Sequence, residues 1–287
     1  MTSAANDSSR VAFVGAGQMG LPMVRRLVAA GHDVVVHGRR PDARAECEAI
    51  GATATDDIRG AVAGADVTIA CVFSDVQLRE AALGPTGFVD AMAPGSILVI
   101  HTTGSPATAQ LLAEQAADHG VRVVDAPVSG SAADIDAGRI TVMLGGAPDD
   151  VEAARRIVSA YSEQIFHVGP LGSAQLVKLL NNALFAAHLQ LAAEVERLTS
   201  EMGVTWSDAS SVFLSSSGAS RAIGIAQSMG SVQALVDAGG HYLVKDVAEA
   251  VATAATLGLD LGQVEAVNRH GPLRFLGDAA EPRELGG

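Results

Sequence analysis

Two short patterns in this chain are made of residues that can do chemistry. The first is "VAFVGAGQMGLPM", an apolar run that breaks into Gly15, Gly17 and Gly20 with the spacing G-x-G-x-x-G, Gln18 and Met19 lying between them. Set between a strand and a helix, such a loop holds a dinucleotide. One glycine permits the tight turn, one lets backbone approach the pyrophosphate, and one lets helix pack closely on strand. The amino end of the helix then favours the phosphate charge. The second pattern is "LVKLLNN". Lys178 and Asn182 stand four residues apart and so project from one face of a helix. Leu179, Leu180 and Phe185 surround that face with apolar groups. A partly desolvated amine has a lowered pKa and works as a general acid or base near neutral pH. A lysine snorkelling from a helix edge fits the same residues equally well.

Both patterns need elements to hold them. Val11–Val14 reads as a short buried strand, and Met19, Met23, Leu27 and Val28 follow at helical spacing until Gly31. "DVVVHG" is then a second strand, which completes a strand–turn–helix–strand unit. Further strands are expected at "DVTIACVF", "SILVIHT", "RVVDAPV" and "ITVMLGG". Their alternation with helical stretches implies an α/β domain of Rossmann type, with a doubly wound, mainly parallel sheet. After Val168 the character changes. From Ser173 to about Met202 the chain is almost continuously helix-forming, and "MGVTWSDASSVF" and "HYLVKDVAEAVATAATLG" are helical as well. The expected division is a dinucleotide-binding domain over 1–168 and an all-helical substrate and oligomerisation domain over 169–287.

The end of the second strand bears on which dinucleotide is held. An acid there would bond the ribose hydroxyls of NAD. His37 and Gly38 occupy that place, and Arg39 and Arg40 follow. Paired guanidinium groups suit a 2′-phosphate, so NADP is expected rather than NAD, unless the two arginines are simply solvated. Ser129 and Gly130 follow the strand "RVVDAPV", where loops of an α/β sheet bind ligands. A hydroxyl and backbone N–H groups there can hold an anion, or form a plain turn.

The segments "GAGQMGLPM", "DAPVSG" (Asp125–Gly130), "GPLGSAQLVKLLNN" (Gly169–Asn182) and "KD" (Lys245–Asp246), in this order and over nearly the whole chain, resemble the β-hydroxyacid dehydrogenase family. That family includes 3-hydroxyisobutyrate dehydrogenases and semialdehyde and glyoxylate reductases. The resemblance implies that Lys178 is the catalytic lysine and Asn182 helps to place the substrate. It implies that Ser129, Gly130 and Ser131 hold the substrate carboxylate. Lys245 would stand near nicotinamide and substrate with Asp246 beside it. Thr102 and Thr103 fall where the family has a Ser-Thr pair near the nicotinamide ribose and substrate, and Val72, Phe73 and Ser74 on the loop that passes the cofactor ribose. Two positions depart from the pattern. Ser131 replaces a second glycine, and serine resists positive φ, so an altered loop is expected. Ile100 stands where an acid is usual.

The implied reaction is NADP-dependent hydride transfer between nicotinamide and a small β-hydroxy acid or its semialdehyde. Imine reduction by the related imine reductases is the runner-up, and non-catalytic NADP binding the third reading. A homodimer or homotetramer through the helical domain is implied by the resemblance.

The bulk properties fit. A chain of 287 residues with 48 % apolar and 18 % charged residues reads as well cored, in one large or two ordinary domains. A net charge of −13 argues against a nucleic-acid partner. No apolar run is long enough to span a bilayer, and the polar first ten residues are too short for a secretory signal. A soluble cytoplasmic protein, with no membrane partner, is expected. Cys47 and Cys71 show neither metal nor disulfide-framework spacing.

Overall fold

The computed structural model describes residues 8–273 and 275–276; most of the polar leader, residues 1–7, lies outside them. The chain divides into two compact units, the first ending at Lys178 and the second beginning at Leu179.

The first unit alternates strand and helix as the sequence implies. Its elements are β1 (Arg10–Val14), α1 (Gly20–Ala29), β2 (Asp33–His37), α2 (Pro41–Ala49), β3 (Thr53–Thr55), α3 (Ile58–Val62), β4 (Val67–Ala70), α4 (Asp75–Leu83), β5 (Ile97–Ile100), α5 (Pro106–Ala117), β6 (Arg122–Asp125), β7 (Val128–Ser129), α6 (Ala132–Asp136), β8 (Thr141–Gly145), α7 (Pro148–Val158) and β9 (Gln164–Gly169). Six parallel strands run in the order β3-β2-β1-β4-β5-β6. Beyond β6 the sheet turns antiparallel through β8, which pairs with β6 and β7, while β9 runs parallel to β8. Successive strand side chains point to opposite faces. Val11 and Phe13 of β1 therefore enter one core cluster, and Ala12 and Val14 the other. A sheet covered on both sides explains why its strands read as unbroken apolar runs rather than as alternating ones.

The described part of the second unit is helical: the body of α8 (Ser173–Glu201), then α9 (Trp206–Leu214), α10 (Arg221–Met229), α11 (Val232–Thr256) and α12 (Gln263–His270). Its core joins Ala186, Leu189 and Ala192 of α8 with Ala222 and Ile223 of α10, Val232 and Val247 of α11, and Phe275. The alanines among them, Ala186, Ala192 and Ala222, leave room for neighbouring helices to pack closely. No helix among the described residues is long and apolar enough to cross a membrane.

Candidate functional site

The three glycines of the β1–α1 turn do three different jobs. Gly15 stands at φ +99°, and a Cβ there would lie 2.3 Å from the Cys71 carbonyl oxygen, so only glycine fits. A Cβ on Gly17 would meet nothing within 4 Å; its backbone faces open space that an incoming group can reach. A Cβ on Gly20 would lie 2.4 Å from the Gly15 carbonyl oxygen and 2.8 Å from the Phe13 ring, which is the close packing of α1 on β1. The N-cap residue of α1 is Met19, no side chain caps the helix, and its first turn carries no acid. The first N–H groups of a helix lack intrahelical partners and its amino end is partly positive, so this end suits an anion. The loop follows β1 and residues 71–74 follow β4. These neighbouring strands mark the point where the strand order reverses, which is where doubly wound sheets bind ligands. The residues fit a dinucleotide.

At the end of β2, His37 is partly buried, and burial together with Arg39 lowers its pKa, so the ring is neutral near pH 7. Arg39 and Arg40 are exposed. Arg40 lies 3.6 Å from Asp42 and lines a cavity of about 320 Å³ with Gly17, Gln18, Arg25, Glu46 and Asp136. Arg44 donates to the carbonyls of Gly38 at 2.9 Å and Arg39 at 3.3 Å. It braces the turn that presents the two arginines; its only sequence signal is its place one turn into the next helix.

The loops after β4 and β5 are tied together, because the Val72 N–H donates to Thr102 Oγ1 at 3.0 Å. Phe73 is exposed and Ser74 caps α4. Thr103 is half-buried beside Thr102. After β7, Gly130 takes φ +143°, while Ser131 sits at φ −113°. The left-handed demand therefore falls on the glycine that is present, and Ser131 is unstrained. Ser131 caps α6 instead. Its N–H and its hydroxyl both donate to Asp134 Oδ2, at 2.9 and 2.7 Å. Two donors of this turn thus face an acid of the chain itself. The S-x-x-D spacing of Ser131 and Asp134 is the local signal for this cap.

Lys178, in the second turn of α8, is 8 % exposed. The start of that helix is held by Asp125, whose carboxylate accepts from the N–H groups of Gly172 and Gln175, each at 2.8 Å. Burial pushes the Asp125 pKa up while these donors pull it down. The Gln175 side chain in turn bonds the loop after β5. Within the second unit, the buried Asn182 donates to Asp246 Oδ2 at 2.6 Å. Lys245 Nζ pairs with Asp246 Oδ1 at 2.9 Å. Asp246 orients both partners. So the first unit carries the glycine loop, the tied loops after β4 and β5, the Ser129 turn and Lys178, and the second gathers Asn182, Lys245 and Asp246. One further signal was in the composition. Of 19 basic residues, 17 are arginine and two are lysine, and those two are Lys178 and Lys245.

A doubly wound sheet with an open glycine loop at its switch point defines a dinucleotide-binding protein. Residues 10–169 match the family described as the NAD binding domain of 6-phosphogluconate dehydrogenase. Residues 172–270 match the one described as NAD-binding of NADP-dependent 3-hydroxyisobutyrate dehydrogenase. An uncharacterized oxidoreductase of Shewanella frigidimarina is 38 % identical over 65 % of this chain and 64 % of its own length. An NAD-dependent L-serine dehydrogenase of Pseudomonas aeruginosa is 35 % identical over 66 % of this chain and 63 % of its own. The chain thus spans just under two thirds of the length of these relatives. A solved structure of 3-hydroxyisobutyrate dehydrogenase from Mycobacterium tuberculosis, with L-serine, is 26 % identical, covers 91 % of both chains and superposes with a TM-score of 0.81. The chain belongs to the β-hydroxyacid dehydrogenase family, that of 3-hydroxyisobutyrate dehydrogenase.

Proposed function

We propose that the chain is an NADP-dependent oxidoreductase that interconverts a small β-hydroxy acid and its semialdehyde. The observation that carries this reading is Lys178, an amine 8 % exposed on the helical face that also bears Asn182. The names of the relatives support the substrate class, because L-serine and 3-hydroxyisobutyrate are both β-hydroxy carboxylates. Arg39 and Arg40, with His37 where NAD-binding loops carry an acid, support NADP.

When bound, the dinucleotide supplies the hydride donor or acceptor. The chain does the rest. Gly15, Gly17, Gln18, Met19 and Gly20 hold the pyrophosphate at the amino end of α1, and Arg39 and Arg40 hold the 2′-phosphate. Val72, Phe73, Ser74 and Thr102 border the ribose. Ser129, Gly130 and Thr103 hold the substrate carboxylate, Ser131 shapes their turn with its own donors on Asp134, and Asn182 orients the hydroxyl. Lys178 holds the mobile proton. Its neutral amine takes the proton from the hydroxyl on oxidation, and its ammonium returns it to the carbonyl oxygen on reduction. Lys245, fixed by Asp246, borders nicotinamide and substrate.

The protein acts in the cytoplasm as a homo-oligomer joined through its helical part. Val177, Leu184, Leu191 and Leu198 recur every seven residues along α8 and are 41–55 % exposed, an apolar seam of the kind that pairs helices.

Initial rates with NADPH and NADH over semialdehydes, glyoxylate and cyclic imines test this reading. NADPH-dependent reduction of one small carboxylated aldehyde is expected. Lys178→Ala should keep NADPH binding and lose turnover by roughly 10²–10⁴-fold, the usual worth of a general acid–base group. Near-normal turnover in that variant, or turnover of imines alone, would overturn it.

A further inference from the structure

Resting on the reading of Lys178 as proton donor and acceptor, we infer that Asp125 and Gln175 are positioning residues that fix where Lys178 stands. Neither touches substrate or cofactor in this scheme; they act through α8.

Asp125 is fully buried at the end of β6. Its two oxygens take the N–H groups of Gly172 and Gln175 at 2.8 Å each. Those donors lie at the start of α8, where backbone N–H groups have no partner within the helix. One carboxylate thus holds the helix end from the sheet. Gln175 adds a second hold. Its Nε2 donates to the Thr102 carbonyl at 2.8 Å, and its Oε1 accepts from the Gly104 N–H at 3.1 Å. The loop it grips is the one whose Thr102 hydroxyl accepts from Val72. Gln175 precedes Lys178 by three residues, so the two side chains are neighbours on the helix surface.

These four hydrogen bonds determine both the height and the rotation of the first turns of α8. A slide by one residue, or a turn by one residue's angle, would break all four. The surroundings leave little slack. A Cβ on Gly145 would lie 2.3 Å from Asp125 Oδ1, and one on Gly104 would lie 2.1 Å from Asp75 Oδ1. Asp75 itself accepts from the Ser105 N–H and the Thr108 hydroxyl, which fixes the far side of the same loop. Lys178 follows on a continuous helix, so what holds residues 172–175 holds its backbone. Proton transfer needs heavy atoms within hydrogen-bond reach, and a misplacement of about 1 Å costs on the order of a hundredfold in rate.

The test uses the scarcity of lysine. With lysine labelled at the ¹³Cε position, the whole chain gives two side-chain signals, from Lys178 and Lys245, assigned with Lys245→Arg. Gln175→Met keeps length and bulk but makes none of the amide bonds, and Asp125→Asn keeps shape and loses one acceptor. In Gln175→Met the Lys178 signal should change from ordered to mobile by its relaxation rates, while that of Lys245 stays as it was. Turnover should fall about tenfold or more. A general structural weakening would instead alter both lysines. Should Asp125→Asn fail to fold, Gln175→Met decides alone. Unchanged order at Lys178 overturns the inference whatever the turnover does. Full activity of Lys178→Ala, by contrast, overturns the catalytic reading and leaves the relaxation measurement to decide the positioning.

Discussion

His101 shows how much a single residue can carry. It precedes Thr102 at the end of β5 and is buried. Its Nδ1 faces the Ala126 carbonyl at 2.5 Å and its Nε2 the hydroxyl of the fully buried Tyr161 at 2.7 Å. The carbonyl can only accept, so Nδ1 carries the proton and Tyr161 donates to Nε2. Burial lowers the pKa of His101 to about 4, the Ala126 carbonyl pulling the other way. An unfolded histidine titrates near 6.5, so the unfolded chain takes up a proton that the folded ring refuses. The stability this contributes is complete above about pH 6.5 and is lost as pH falls toward 4, on the order of 3 kcal/mol in all. Asp125 works in the opposite sense, since its folded pKa is raised. Melting temperatures across that window should fall more steeply for the parent than for His101→Gln; parallel curves would refute the assignment. None of this was readable from the sequence, because Tyr161 lies 60 residues from His101 and no local spacing marks the pair. Ser131 is the reverse case. Its partner Asp134 is three residues away, so its unstrained capping geometry follows from local sequence once the capping pattern is recognised.

At the scale of elements, the long apolar strands were legible because a parallel sheet buries both faces. β3 has three residues and β9 is a largely exposed edge, so neither gives an apolar run. Under the proposed function, the turn between β2 and α2 is the element that chooses the cofactor. Arg44 fixes its carbonyls, and Arg39 and Arg40 project from it. Replacing both with alanine should raise the KM for NADPH roughly 10–100-fold, the worth of one or two charge-assisted hydrogen bonds, and leave the KM for NADH nearly unchanged. Equal loss with both cofactors would show that the turn, not the 2′-phosphate, was damaged. The roles of Gly15, Gly17 and Gly20 were legible as a motif. Arg44 and Gln175 were not, since each acts by reaching a backbone group that only the fold brings near.

For the molecule as a whole, the apolar seam on α8 makes assembly the property to measure. Leu184→Glu with Leu191→Glu should halve, or more than halve, the mass found by light scattering, since a charge on each facing helix is costly to bury. A parent protein that already runs as a monomer would remove the basis for this expectation.

The near absence of lysine has a chemical consequence for the whole surface. Guanidinium groups stay protonated at any physiological pH and are poor nucleophiles, whereas free amines condense with aldehydes. Under the proposed function, a protein that works on semialdehydes and carries its positive charge on 17 arginines presents its own substrate with few groups to react with by accident. The two side-chain amines it keeps are Lys178, which is buried, and Lys245, which is paired with Asp246. Aldehyde fixation, glycation and amine coupling to a support, scattered over the lysines of most proteins, would here find the partly exposed Lys245 as their one accessible side-chain amine, at a position the proposed function assigns to the site.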